Sequence, residues 1–148
     1  MGDRTNVSLI VLTEQEDLAR ELGADDACSE YQDVDLGVTI FEFEEVNYAT
    51  LDFEDDLTDA GIAWTKEWGA GGLDDVAGVA HVRFTEAGDL QCIEVYDGGE
   101  NPPIADLLAL CSQPDKLVQF IRTYYKDHTP LPWDHQAGYG RRYMENQK

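Results

Sequence analysis

The sequence predicts an α+β domain of about five mostly antiparallel strands with helices packed on one face. Three observations carry that expectation. Apolar β-branched runs and segments of helical period follow one another as strand, helix, strand, helix, three strands and two helices. Glycine, proline and capping residues fall between them. The chain has 148 residues, 43% of them hydrophobic, and that length suits one domain burying about 68–70% of its unfolded surface. Residues 1–148 are therefore read as a single domain.

Each element has its own signal. Val7 to Leu12 is a short apolar run and reads as a buried first strand. Thr13 with Glu16 has capping-box spacing, opening a helix whose inward residues are Leu18, Ala19 and Leu22, and Gly23 stops it. Residues 24–35 lack a period and carry Asp25, Asp26, Glu30, Asp33 and Asp35, an acidic loop. From Gly37 to Val46, Phe41 and Phe43 alternate with Glu42 and Glu44, placing aromatics and carboxylates on opposite faces of a second strand. Residues 49–60 read as a helix with Ala49, Phe53, Leu57 and Ala60 inward, and Asp52, Asp55, Asp56 and Asp59 as a neighbouring stripe.

Gly61 ends that helix, and Ile62 to Trp68 alternates as a third strand. Gly69-Ala70-Gly71-Gly72 is a break. Val79 to Thr85 and Leu90 to Tyr96 form a hairpin, with Val82, Phe84, Ile93 and Val95 inward and His81 exposed. Asn101-Pro102-Pro103 opens a helix with Ile104, Leu107, Leu108 and Cys111 on its core stripe. Ser112, Pro114 and Asp115 open the next, which Pro130 and Pro132 end. Residues 133–148 read as a polar and aromatic tail.

Charge is the most informative feature. Asp and Glu number 31 against 10 Lys and Arg, a net −21. Residues 1–60 hold 18 acidic and two basic groups, whereas residues 61–148 hold 13 and eight. A phosphate backbone is gripped through Lys and Arg, so direct nucleic-acid binding is excluded. No run of about 18 apolar residues is present, which argues against a membrane span. The first residues carry no signal-peptide pattern, and Asp3 beside Gly2 argues against a lipid-anchored role; the expected location is cytoplasmic. Cys28, Cys92 and Cys111 form no C-x-x-C pair and read as reduced thiols.

No motif reaches the level of an enzyme, and no cofactor or metal is expected. His128 and His135 match no metal spacing, the EF-hand pattern is absent, and the Gly69–Gly72 break lacks a Walker lysine and precedes Asp74 and Asp75. A nucleophile elbow is also missing. The acidic stretch has a geometry of its own. Carboxylates four apart on a helix step about 6 Å, and those two apart on a strand about 6.6–7 Å. Those intervals are of the same order as phosphate spacing along a winding strand. A basic groove would be drawn to such a surface over a Debye length of about 8 Å.

The small size and the acidity concentrated in residues 1–60 resemble the DNA-mimicking inhibitors of phages and plasmids, of the antirestriction and anti-CRISPR type, and Gly61-Ile62-Ala63-Trp64 with His81-Val82-Arg83-Phe84 resembles small accessory proteins of mobile elements. The resemblance implies an acidic protein that inhibits a DNA- or RNA-binding partner, such as a host defence complex, by occupying its nucleic-acid site. The partner-binding candidates are Glu42, Glu44, Glu45, Asp52, Glu54, Asp55, Asp56 and Asp59. The alternative is an adaptor using aromatic anchors, with Trp64, Trp68 and Trp133 as candidates against a reading as core. A salt-adapted or merely solubilising surface explains the same charge, and a small metal-dependent enzyme acting on a cationic substrate is a third class. Oligomeric state is not legible in the sequence.

Overall fold

The computed structural model describes residues 4–70, 76–97 and 104–148. The fold is α+β, with one antiparallel sheet of six strands in the order β2-β3-β1-β4-β5-β6 and five helices among the described residues. The strands are β1 Arg4–Leu12, β2 Ser29–Asp33, β3 Val38–Asn47, β4 Trp64–Trp68, β5 Gly78–Phe84 and β6 Leu90–Tyr96. The helices are α1 Glu16–Leu22, α2 Glu54–Asp59, α3 Ile104–Leu110, α4 Pro114–His128 and α5 Gln136–Asn146.

Side chains alternate across the sheet, and the registers fix which residues share a face. Val7, Leu9 and Val11 of β1 stand beside Phe43, Phe41 and Thr39 of β3 and beside Trp68, Lys66 and Trp64 of β4. This first face continues through Ala80 and Val82 to Glu94 and Cys92. It carries the main core, where Ala19 and Leu22 of α1 and Leu57 of α2, with Phe53 just before it, pack on the sheet. The second face holds Leu12, Val38 and Ile40, covered by Trp133 and Ala137.

The structure adds a strand and a helix to the sequence reading. Residues 24–35, expected as a loop, contain a 3-10 turn at Ala24–Asp26 and then β2. An edge strand with both faces wet needs no apolar alternation, and β2 is almost wholly exposed. The expected tail contains α5, in which Gln136, Ala137 and Gly140 are buried. Its Gln136 amide accepts from the Phe84 N–H (2.7 Å) and donates to the Phe84 carbonyl (3.0 Å), standing in for a strand neighbour at the end of β5. Gly140 meets Gly61 so closely that a Cβ at Gly140 would lie 1.8 Å from the Gly61 carbonyl oxygen.

Other boundaries move for local reasons. The helix expected over 49–60 shortens to α2, because Tyr48 and Ala49 take left-handed φ near 52° and Glu54 accepts from the Leu51 N–H at 2.8 Å. Ala49 and Leu51 are buried from this turn instead. The Thr13–Glu16 capping box does not form. Thr13 donates to Thr39, which donates in turn to the Glu16 carboxylate at 2.5 Å, and a 3-10 turn precedes α1. Cys111, Ile104 and Leu108, expected in the core, are exposed, because α3 packs against α4 rather than onto the sheet and buries no residue. The opening at Asn101-Pro102-Pro103, Gly2, Gly71-Gly72, Asp74 and Asp75 lie outside the described residues.

Candidate functional site

The carboxylates are sorted by the layers of the fold. α1 turns Ala19 and Leu22 and α2 turns Leu57 onto the first face, so their polar residues form the outer surface above it, together with Leu18, which was expected inward but is exposed beside Asp17. Gly23 at the end of α1 lies under the Phe53 ring, which brings the two helices together; a Cβ there would sit 2.4 Å from the ring. Asp17 and Glu21 of α1, Asp25 and Asp26 of the following turn, and Asp52, Asp55, Asp56 and Asp59 around α2 are all exposed. Arg20 is the one basic residue between 13 and 60. Asp17 (2.8 Å), Glu30 (3.0 Å) and Glu16 (3.5 Å) hold it, over the Phe41 ring. The Glu30 pairing raises its pKa. Among the described residues, no cation lies within ion-pair distance of Glu21, Asp25, Asp26, Asp52, Asp55, Asp56 or Asp59.

The eight sequence candidates do not form one surface. Asp52, Asp55, Asp56 and Asp59 share the outer layer. Glu42 is next to Phe43 in β3 and therefore faces the opposite side of the sheet, where Ser8 donates to it at 2.8 Å. Glu44 points the same way. Glu45, at the bulge opposite Thr5 and Val7 with φ 53°, pairs with Arg4 at 2.8 Å. Glu54 is half-buried and pairs with Lys66 at 2.7 Å, so it fastens α2 to β4. Asp17, Glu21, Asp25 and Asp26 join the site instead; Asp17 and Glu21 stand four apart on the helix the sequence predicts, a spacing weighed only at α2, and Asp25 and Asp26 fall in the stretch without a period.

The aromatic candidates separate as clearly. Trp64 is buried, and its indole donates to Thr58 of α2 at 3.1 Å. Trp68 lies over Gly78, donates to the Val76 carbonyl at 3.0 Å and meets Tyr96 edge-on at 5.9 Å between centroids. It lines a groove of about 350 Å³ with Tyr48, Thr50, Lys66, Glu94 and Tyr96. A neighbouring groove of about 450 Å³ runs between α2 and the first face of β5 and β6, past Asp55, Lys66, Ala80 and Cys92. Burial raises the Cys92 thiol pKa, which keeps it protonated.

Trp133 serves the second face. It lies 3.6 Å over the guanidinium of Arg83, a residue to which the sequence analysis gives no role of its own. Arg83 is buried and donates to the carbonyls of Leu131, Trp64 and Val82 and to Thr65. Desolvation lowers its pKa to about 10. Because Thr65 accepts from Arg83, its own hydroxyl is free to donate to His81 Nδ1 at 2.9 Å. Burial, with the Arg83 charge second, pushes His81 down to about 4. His81, expected as exposed, is thus half-buried and neutral at pH 7. These groups tie the 129–135 connection to the sheet; they present no acid–base pair.

Among the described residues, no group of three or more His, Cys, Asp or Glu side chains converges as a metal site, and no helix is long and apolar enough to cross a membrane. No protein-family model, curated protein or solved structure matches the chain.

Proposed function

We propose that the protein is an acidic binding protein whose α1–α2 layer occupies the nucleic-acid-binding surface of a basic partner, in the manner of a DNA mimic. One observation supports this above the rest: among the described residues, seven exposed carboxylates on that layer face no cation, while Arg20 is held by Asp17, Glu30 and Glu16. A surface grown acidic for solubility alone interleaves both signs. Here the unpaired charges of the layer are of one sign, and Asp55 and Asp59 step about 6 Å along α2. Such a surface draws a positively charged groove to itself and speeds encounter.

The test uses the basic proteins of a bacterial lysate retained on heparin, passed over the immobilised full chain. The expected result is capture of one or a few species that duplex DNA displaces. Raising salt from about 50 to 200 mM should release them, because both surfaces regain counterions. Capture indifferent to salt and DNA would overturn the mimic reading. It would favour an adaptor working through the Trp68 groove, where Tyr48 and Tyr96 are 68% and 44% exposed and Trp68→Ala would abolish capture.

A further inference from the structure

The α3–α4 hairpin is an unusual part of this molecule. Neither helix holds a buried residue. Ile104 (73%), Leu108 (67%), Tyr125 (66%), Ile121 (50%) and Val118 (47%) stand in solvent. In α4, Val118, Ile121 and Tyr125 follow at three and four residues and make one stripe, while Leu117, Phe120 and Tyr124 are half-buried on another side. An apolar stripe of that kind on a folded domain marks a contact surface. The charge around it is also distinct: residues 104–128 carry three acidic and three basic groups, in a chain whose net charge is −21.

We propose that this surface is a self-association interface in which α4 packs antiparallel against α4 of a second copy about a two-fold axis at Ile121. Charge order along the helix selects that occupant. Asp115, Arg122 and Lys126 lie along one flank of the stripe, with the acid near the N-terminal end and the bases towards the C-terminal end. With Ile121 facing Ile121 of the second copy, Asp115 lies within about 1.5 Å, axially, of Lys126 of that copy. Val118 lies similarly close to Tyr125. The two-fold makes each of these contacts occur twice. A parallel pairing would leave Asp115 about 16 Å along the axis from Lys126 of the second copy and forfeit them. Because the hairpin is neutral, two strongly acidic chains can meet there without opposing their carboxylate layers.

The experiment is sedimentation velocity on the full chain over a range of micromolar concentrations, at low and moderate salt. A reversible dimer is expected, and salt should tighten it, because screening weakens the repulsion between two chains of charge −21. Binding through the α1–α2 layer responds to salt in the opposite sense, so failure of one proposal is distinguishable from failure of the other. Ile121→Asp should weaken the dimer roughly tenfold or more, since each substitution acts twice at the axis. Its circular dichroism and melting should stay as in the parent, because Ile121 packs into no core. Asp115→Lys and Lys126→Asp should each weaken association, and the double exchange should recover it. A chain monomeric at every concentration, a dimer indifferent to Ile121→Asp, or a double exchange no tighter than the single ones would overturn the proposal.

Discussion

Replacing Asp52, Asp55, Asp56 and Asp59 together by Asn separates stability from recognition. The effect on the fold is the difference of two small terms. Asp59 lies four residues from Asp55 and three from Asp56, and relieving each like-charge pair gains about 0.2–0.5 kcal/mol. Asp55 and Asp56 stand in the first turn of α2, where each loses about 0.3–1 kcal/mol of helix-dipole interaction. The net change lies between about 0.4 kcal/mol stabilising and about 1.6 kcal/mol destabilising, so the urea midpoint moves by less than about 1.6 M. Recognition is not balanced in this way. All four charges steer association in one direction, and the association rate with the heparin-retained partner should fall roughly tenfold or more. The slope of log affinity against log salt should flatten as well. Surface plasmon resonance at several salt concentrations reads both quantities. The control set is Glu86, Asp89, Asp97 and Glu145, all exposed and all outside the α1–α2 layer. If both sets slow association equally, the acidity is a general property of the surface and the layer has no special role.

The packing makes three further predictions. His81, held near 4 against about 6.5 in an unfolded chain, binds its proton more weakly folded than unfolded; its share of stability is present above about 6.5 and lost as pH falls towards 4. His81→Gln should therefore reduce the drop in melting temperature between pH 7 and 5, and an equal drop would refute the assignment. Gly140→Ala cannot be accommodated without moving α5 from Gly61, and should cost about 1–3 kcal/mol by urea denaturation. Arg83→Met removes donors from the Leu131, Trp64 and Val82 carbonyls, costing roughly 2–4 kcal/mol and exposing Trp133 fluorescence to quenchers; unchanged quenching would contradict the role assigned to the guanidinium.

How much of this was legible depends on burial. β1 and the β5–β6 hairpin were readable as apolar runs, but the hairpin's faces were not: Val82 and Phe84 are buried as expected, whereas the register sets Ile93 and Val95 on the other side of the sheet with the half-buried His81. β2 was not, because its ladder to β3 rests on backbone hydrogen bonds and its side chains are free to be polar. α5 was missed for a different reason. Gly138 and Gly140 depress helix propensity, yet the approach to Gly61 tolerates only glycine at position 140. Tertiary packing supplies what local preference withholds. The role of Arg83 was not legible because a lone arginine in a strand announces neither its burial nor its aromatic lid.

The candidate site was legible as a concentration of charge and illegible as a surface. The alternation of Phe41 and Phe43 with Glu42 and Glu44 already requires these carboxylates to point away from whatever covers the phenylalanines. α1 and α2 provide that cover, so their outer acids and the β3 acids stand on opposite sides of a sheet. Packed layers are separated by about 10 Å, beyond the Debye length of about 8 Å at physiological salt, and a rigid basic groove seated on one side cannot contact the other. Glu42→Gln with Glu44→Gln should consequently leave the partner's association rate within about twofold of the parent, a residual that reflects long-range steering alone. The same plasmon resonance series measures it. A loss matching that of the α2 variant would mean that the partner wraps the sheet edge at β2, and the site would then have to be redrawn around β2 and β3.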